Sequence, residues 1–239
     1  MKKTIFAVSA VGLIFAAAGS ASAAQIMQTQ PFGPSTPNYN RTVAFDKFDA
    51  TLGTLNSVQV KVQLAIDGGF LQLDNDGVNE ASGSAQLGAN ATISSMDVSV
   101  LDNAFQNVLG SGVDVFNSSP FAISGNDGDN DTTFDVGGTD YFDFQGMAGN
   151  DVGMGFINSL FHAGYIDLDG IFGGLATFTM DVDVDQIFNY GSIGGIQFTG
   201  GPVTASGSVM VIYDYTPVPA PGAAALLGLG GLAMARRRR

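Results

Sequence analysis

Strict alternation of apolar and polar side chains is the clearest signal in this chain. In Ser57-Val58-Gln59-Val60-Lys61-Val62-Gln63-Leu64 every second residue is apolar, the period of a half-buried strand. Phe178 to Asp185 repeats the pattern and places Asp181, Asp183 and Asp185 together on the polar face. Ser208 to Tyr215 reads as a last strand. Shorter runs at Arg41–Phe45, Phe70–Leu73, Ala91–Leu101, Val113–Phe116, Tyr141–Phe144 and Ile193–Phe198 are separated by the Gly and Asn/Asp clusters that hairpins require. Two short helices are predicted. Asp102–Leu109 has an Asp N-cap and Gly110 behind it, and Val152, Phe156, Ile157, Leu160 and Phe161 have helical spacing with Gly164 as a stop. Many short strands with few helices predict a mainly β fold, an antiparallel β-sandwich or jelly roll, in one domain over residues 24–215.

The two ends follow other rules. Lys2 and Lys3 precede an apolar run from Ile5 to Ala18, and Ala21-Ser22-Ala23 is the small-x-small pattern that signal peptidase accepts. Residues 1–23 therefore read as a signal peptide cut before Ala24. At the other end Thr216-Pro217-Val218-Pro219-Ala220-Pro221 contains three prolines, which lack the N–H that a helix or a central strand needs. An uncharged run from Gly222 to Ala235 follows, and Arg236, Arg237, Arg238 and Arg239 close the chain. As a helix that run spans about 21 Å, short of the ~30 Å hydrocarbon core. Arginine side chains snorkel and resist translocation, so the four arginines are expected to act as a stop-transfer signal and the helix as a transient membrane anchor.

Composition sharpens the picture of what lies between. Only 13% of the 239 residues are charged, about half the usual share. The net charge is −13, but residues 24–215 hold all 22 acids against Arg41, Lys47 and Lys61, which makes the body −19. Such a surface repels nucleic acid and anionic lipid. The chain has no Cys and one His, so Cys-ligated zinc, disulfides, Cys nucleophiles and His-rich metal motifs are excluded.

The order of proline motif, apolar helix and arginine cluster over Val218–Arg239 resembles the PEP-CTERM sorting signal of exported proteins in Gram-negative bacteria that make exopolysaccharide. The resemblance implies processing by an exosortase at Val218, Pro219, Ala220 and Pro221. The family's core is Pro-Glu-Pro, and Ala220 stands at its middle here. A second stretch, Phe45-Asp46-Lys47-Phe48-Asp49 followed by Leu52-Gly53-Thr54-Leu55-Asn56-Ser57-Val58, is similar to the opening of choice-of-anchor E domains, bacterial surface domains that often carry such tails. Physically these residues build the fold. Phe45 and Phe48 anchor the first strand and its turn, Gly53 permits a reversal, and Leu55 and Val58 start the next strand.

The strongest chemical signal is a calcium-like loop. Asp127, Asp129, Asp131 and Asp135 place hard oxygen donors at alternating positions in a Gly/Asn-rich segment. Thr132 and Gly138 occupy the places where an EF-hand needs Gly and Glu, so the loop is not an EF-hand and reads first as a solvated acidic loop, with bound Ca²⁺ as the alternative. Asp74-Asn75-Asp76-Gly77 with Glu80 is a shorter version, and Gly146–Asp151 matches half of one calcium β-roll repeat. Asp181, Asp183 and Asp185 read as a water-facing row. Asn90-Ala91-Thr92 and Asn117-Ser118-Ser119 read as turns. His162 reads as a helix C-terminal cap rather than a general base.

No Gly-x-Ser-x-Gly elbow is present, and 21 Asp make accidental carboxylate pairs too common to indicate a glycosidase. The expectation is an exported, non-enzymatic cell-surface or matrix protein. Its processing partners are signal peptidase and exosortase, and exopolysaccharide is its expected contact. The alternative is a Ca²⁺-dependent carbohydrate-binding jelly roll using Tyr141, Tyr165 and Tyr190 as platforms.

Overall fold

The computed structural model describes residues 23–126, 128, 134–167, 176–191 and 194–218. The expected signal peptide up to residue 22, Pro219 to Arg239, and Asp127, Asp129 and Asp131 lie outside them. The rest is mainly β, in antiparallel sheets apart from one short parallel pair, Phe48–Asp49 with Ile166–Asp167. In chain order the strands are β1 (Ala24–Ser35), β2 (Tyr39–Asp46), β3 (Phe48–Asp49), β4 (Gly53–Asp67), β5 (Phe70–Asn75), β6 (Ala81–Ser94), β7 (Val113–Ile123), β8 (Tyr141–Gln145), β9 (Gly149–Phe156), β10 (Ile166–Asp167), β11 (Thr177–Asn189), β12 (Ile196–Gly201) and β13 (Thr204–Pro217). Short 3₁₀ turns occupy Ala50–Leu52 and Ser159–Tyr165.

Two four-stranded sheets, ordered β1-β13-β4-β9 and β2-β11-β6-β7, turn their apolar faces to each other. The alternation of β4 sends Val58, Val60, Val62, Leu64 and Ile66 inward, and β13 answers with Val209, Val211 and Tyr213. From the facing sheet come Met180, Val182 and Val184 of β11 and Leu87, Ala89 and Ala91 of β6. Near Phe48 the core becomes aromatic. Phe48 packs 5.8 Å from Tyr213 and 5.3 Å from Tyr215, and Phe178 lies 5.7 Å from Phe45 and 5.2 Å from Tyr165. Both deep tyrosines satisfy their hydroxyls on main chain, Tyr213 on the carbonyl of Asp46 at 3.0 Å and Tyr165 on that of Ser99 at 2.8 Å.

The body has two distinct ends. At one, Ala24 pairs with Tyr215, Gly53 pairs with Pro217, and the N–H of Val218 donates to Leu52. The two terminal strands thus deliver the chain ends side by side. At the other end Thr204 pairs with Asp67. There Gly68 and Gly69, with φ of +70° and +82°, reverse the chain into a small sheet ordered β12-β5-β8. Ten residues of β13 separate Ala205 from Tyr215, about 33 Å of strand.

Of the two expected helices the first is absent, and the second is realised only in its last part, as the 3₁₀ helix Ser159–Tyr165. Asp102 does cap its segment, accepting from the N–H groups of Ala104 and Gln106, but the chain then turns back so that Leu101 bridges Asn107. The second becomes strand β9 followed by the 3₁₀ turn. The helical spacing was a coincidence of two period-2 rows. Gly149, Gly153 and Gly155 face inward against β7 and the loop before it, where a Cβ on Gly153 would lie 2.5 Å from Val113 Cγ2. Val152, Met154 and Phe156 therefore face out. The expected strand Ala91–Leu101 instead starts at Ala81 and stops at Ser94, because Ser95 leaves the ladder and its hydroxyl donates to the carbonyl of Thr179. Ile193–Phe198 is realised as Ile196–Gly201.

Burial holds the Tyr165 and Tyr213 hydroxyls neutral far above the usual tyrosine pKa near 10, and for Tyr213 the neighbouring Tyr165 and Asp46 add to the effect. The unfolded chain ionises these groups first, so stability is full below pH ~10 and falls above it by up to about 1.4 kcal/mol per pH unit for each tyrosine. Denaturant titrations at rising pH should show this loss. It should be smaller in Tyr165→Phe, and the part of the tyrosinate absorbance that the Tyr165→Phe and Tyr213→Phe variants lack should rise only as the chain unfolds.

Candidate metal centre and aromatic shelf

Both chemical features that stand out lie at the end away from the chain termini. The first is built on β5. Asp74 pairs with Gln197 of β12 on one side and Tyr141 of β8 on the other. By alternation its side chain points away from Leu71 and Leu73, yet it is only 3% exposed, because residues 134–140 return onto it. The N–H of Asp135 donates to Asp74 Oδ2 at 3.0 Å. Asp140, at the entrance to β8, is 2% exposed and its carbonyl accepts from the N–H of Asn75 at 3.1 Å. Carboxylate oxygens of Asp74, Asp135 and Asp140 all come within 4.8 Å of one another.

Asn75 is the residue that fixes this geometry. It is 1% exposed. Its Nδ2 donates to the carbonyls of Asn79 at 2.8 Å and Ser124 at 2.6 Å, and its Oδ1 accepts from the N–H of Gly77 at 3.0 Å. One side chain thereby closes the 75–79 turn and ties it to the segment after β7. Asp76 is held separately by Gln197 Nε2.

The donor set fits a hard divalent cation. Calcium binds oxygen at about 2.3–2.6 Å, so two of its ligands stand up to about 5 Å apart. The three carboxylates meet that spacing and bring the negative charge such an ion neutralises. They would supply only part of the six to eight oxygens calcium takes, leaving main-chain carbonyls or water for the rest. Of the loop read in the sequence, Asp135 falls in this cluster, while Asp127, Asp129 and Asp131 lie outside the described residues. Asp74 came from the second motif. Asp140 was missed, for it carries no spacing signal, and only the pairing of β5 with β8 brings it in.

The second feature is a shallow cavity of about 400 Å³ lined by Asn38, Gln186, Phe188, Phe198, Gly200 and Pro202. Phe198, 52% exposed, stands 5.6 Å from Phe188 and 5.0 Å from Tyr190, so three rings form a shelf. None of the lining residues titrates. Asn38 Oδ1 accepts from the main-chain N–H of Gln186 at 3.1 Å, which ties the Asn38 side chain to β11. Tyr39, next in the chain, donates its hydroxyl to Ala205 at 3.3 Å and places the shelf beside the start of β13. Of the three expected platforms, Tyr190 alone belongs here. Tyr165 is fully buried, and Tyr141 packs edge-on to Phe134 at 6.3 Å.

The other candidates have structural roles. Asp181 and Asp183 lie on the outer face of β11, where Thr42 and Asn40 donate to them at 2.6 Å. His162 sits in the 3₁₀ turn with Nε2 3.2 Å from the carbonyl of Ile157. Exposed Asp97 accepts from the N–H and hydroxyl of Thr179, which lowers its pKa.

No family model matches the chain, and no curated protein matches its sequence. Among solved structures, the infectious bursal disease virus VP2 subviral particle aligns at 12% identity over 89% of this chain and 49% of that one, with a TM-score of 0.13. The Gt strain of the same virus gives 11% identity over 89% and 48%, with a TM-score of 0.12. The chain spans about half the length of these structures. Similarity at this level carries no argument about fold or role.

If the carboxylates hold calcium, the ion stabilises the folded chain by RT ln(1 + [L]/Kd), about 2.7 kcal/mol at a hundredfold excess over Kd. Melting in millimolar Ca²⁺ should then occur at higher temperature than in EDTA, and Asp140→Asn should abolish the difference. Coincident curves for the unaltered chain would exclude the site.

Proposed function

We propose that the chain is an exported, non-enzymatic protein of the cell surface or extracellular matrix, its body a β-sandwich module. It is directed outward by residues 1–23 and sorted through Val218–Arg239 in the manner of PEP-CTERM substrates. One observation carries this reading: the ends of β1 and β13 leave the body side by side, while the acid cluster and the aromatic shelf lie at the opposite end. A body held near Pro217 would turn those features away from the membrane. Among the described residues no helix is long and apolar enough to cross a membrane.

The intact mass of protein recovered from the host surface and medium tests the sorting step. It should end between Pro217 and Gly222, and deletion of Arg236–Arg239 should leave the tail uncut. A mass that retains Arg239 in the unaltered protein, or normal trimming of the deletion variant, would overturn it.

The shelf favours a second reading, a Ca²⁺-assisted carbohydrate-binding module. The apolar faces of a neutral sugar stack on exposed rings, and the amides of Asn38 and Gln186 are neutral partners for hydroxyls in a body that repels anions. Phe198→Ala should weaken retention on a neutral exopolysaccharide by several-fold to about tenfold, the scale of one lost aromatic contact. Unchanged retention would remove this reading.

A further inference from the structure

The two outer faces of the body differ sharply in chemistry. The outer face of β2-β11-β6-β7 carries Asp181, Asp183, Asp185 and Asp114 among Asn and Thr side chains. The outer face of β1-β13-β4-β9 carries almost no charge. Its register sets out three rows across the four strands. Met27, Ile212, Gln59 and Phe156 form the first, Thr29, Met210, Lys61 and Met154 the second, and Pro31, Ser208, Gln63 and Val152 the third. Met27 is 57% exposed, Met154 58% and Phe156 54%, and Gln59 Nε2 rests 3.6 Å from the sulfur of Met154. Seven of the twelve positions are apolar, in two patches on either side of the polar column Gln59, Lys61 and Gln63 of β4, and large exposed apolar side chains gathered on one face mark an interaction site.

We propose that this face binds a second copy of the chain, face to face about a two-fold axis. Charge selects that occupant. Lys61 is the single charge within the three rows, and Asp214 stands one row beyond them, on the neighbouring strand and next to Ser57. The two are about 14 Å apart by strand rise and spacing. A two-fold axis in the interface plane, passing between Ile212 and Gln59, lays Lys61 of each copy over Asp214 of the other. The contact is isologous, so the pair forms twice. Along the same axis lie Met27, Ile212, Gln59 and Phe156, so the interface centre is uncharged and three-quarters apolar, with the charged pairs to either side of it.

Two bodies of charge −19 repel each other over most of their surface. This face is where approach meets the least like charge. Four strands by four rows of the ladder cover roughly 500 Å², so two copies bury about 1,000 Å², the lower bound for a specific interface. A weak, concentration-dependent dimer is the form such an area supports. Methionine, flexible and polarisable, suits a surface that must be solvated as a monomer and packed as a dimer.

Sedimentation of the full-length chain in mild detergent tests this, with Lys61→Asp, Asp214→Lys and the double exchange. The unaltered chain should dimerise below about 1 mM. Each single variant should raise the dimer Kd at least tenfold, through like charges facing across the interface. The double exchange should return it to within about threefold of the original. A mixture of the two single variants should form the heterodimer although neither pairs well with itself. Circular dichroism checks that these exposed substitutions leave the fold intact. A monomer at every concentration would overturn the proposal. So would single variants that dimerise unchanged, a double exchange that restores nothing, or association that is lost only when residues 219–239 are removed, which would make the tail the occupant.

Discussion

The ladder between β4 and β13 is the interaction on which the rest of the body depends. It runs from Gly53 and Pro217 at one end to Asp67 and Thr204 at the other. β4 sends an unbroken aliphatic face inward and β13 meets it with Ala205, Val209, Val211 and Tyr213, and both carry a further partner, β9 on one side and β1 on the other. Because side chains alternate, a one-residue slip would turn Val58, Val60, Val62 and Leu64 out to water. Register is therefore fixed by burial, and that register places everything else. It puts the chain ends together at one limit of the ladder and sends β5 off at the other, where Asp74 meets Asp135 and Asp140.

A second constraint is charge. With 22 acids and three basic side chains in the body, most carboxylates cannot find a cation within the chain. They are served by neutral donors instead. Thr42 donates to Asp181, Asn40 to Asp183, Asn90 to Asp114, Thr179 to Asp97, Thr51 to Asp49 and Ser57 to Asp214. This explains why the surface is written in Asp, Asn, Ser and Thr rather than in Lys and Glu. Hydrogen bonds of this kind work at short range and are little screened by salt, whereas surface ion pairs weaken as ionic strength rises.

The fold was legible wherever one face of a strand meets the core and the other meets water. β4, β11 and β13 alternate cleanly and were placed to within a few residues. The pattern fails where glycine replaces the inward side chain. In β9, Gly153 and Gly155 occupy the inward positions, so the apolar residues that remain are the exposed ones, and their spacing mimics a helix. β1 was missed because its inward positions include Gln28 and Gln30 and its outward ones Met27, which inverts the usual contrast. Two of the three acids of the cluster were readable as motif. Asp74 and Asp135 each sat in a recognisable loop, but their meeting depends on the pairing of β5 with β8, and Asp140 joins through that pairing alone. The shelf was readable only through Tyr190, since Phe188 and Phe198 come together from strands of different sheets.

The shared exit of β1 and β13 also sets how the body bears load. A pull applied between the two chain ends would open the β1–β13 ladder one pair at a time, like a zip, starting from Ala24 and Tyr215. A pull between Pro217 and a ligand seated at the far end runs along β13 instead. That force shears the ladders to β1 and β4 together, so many main-chain hydrogen bonds resist it at once. The same strand is weak when its neighbour is peeled from it and strong when it is drawn lengthwise. Held by its C-terminal end alone, the body would meet traction in its stiff direction.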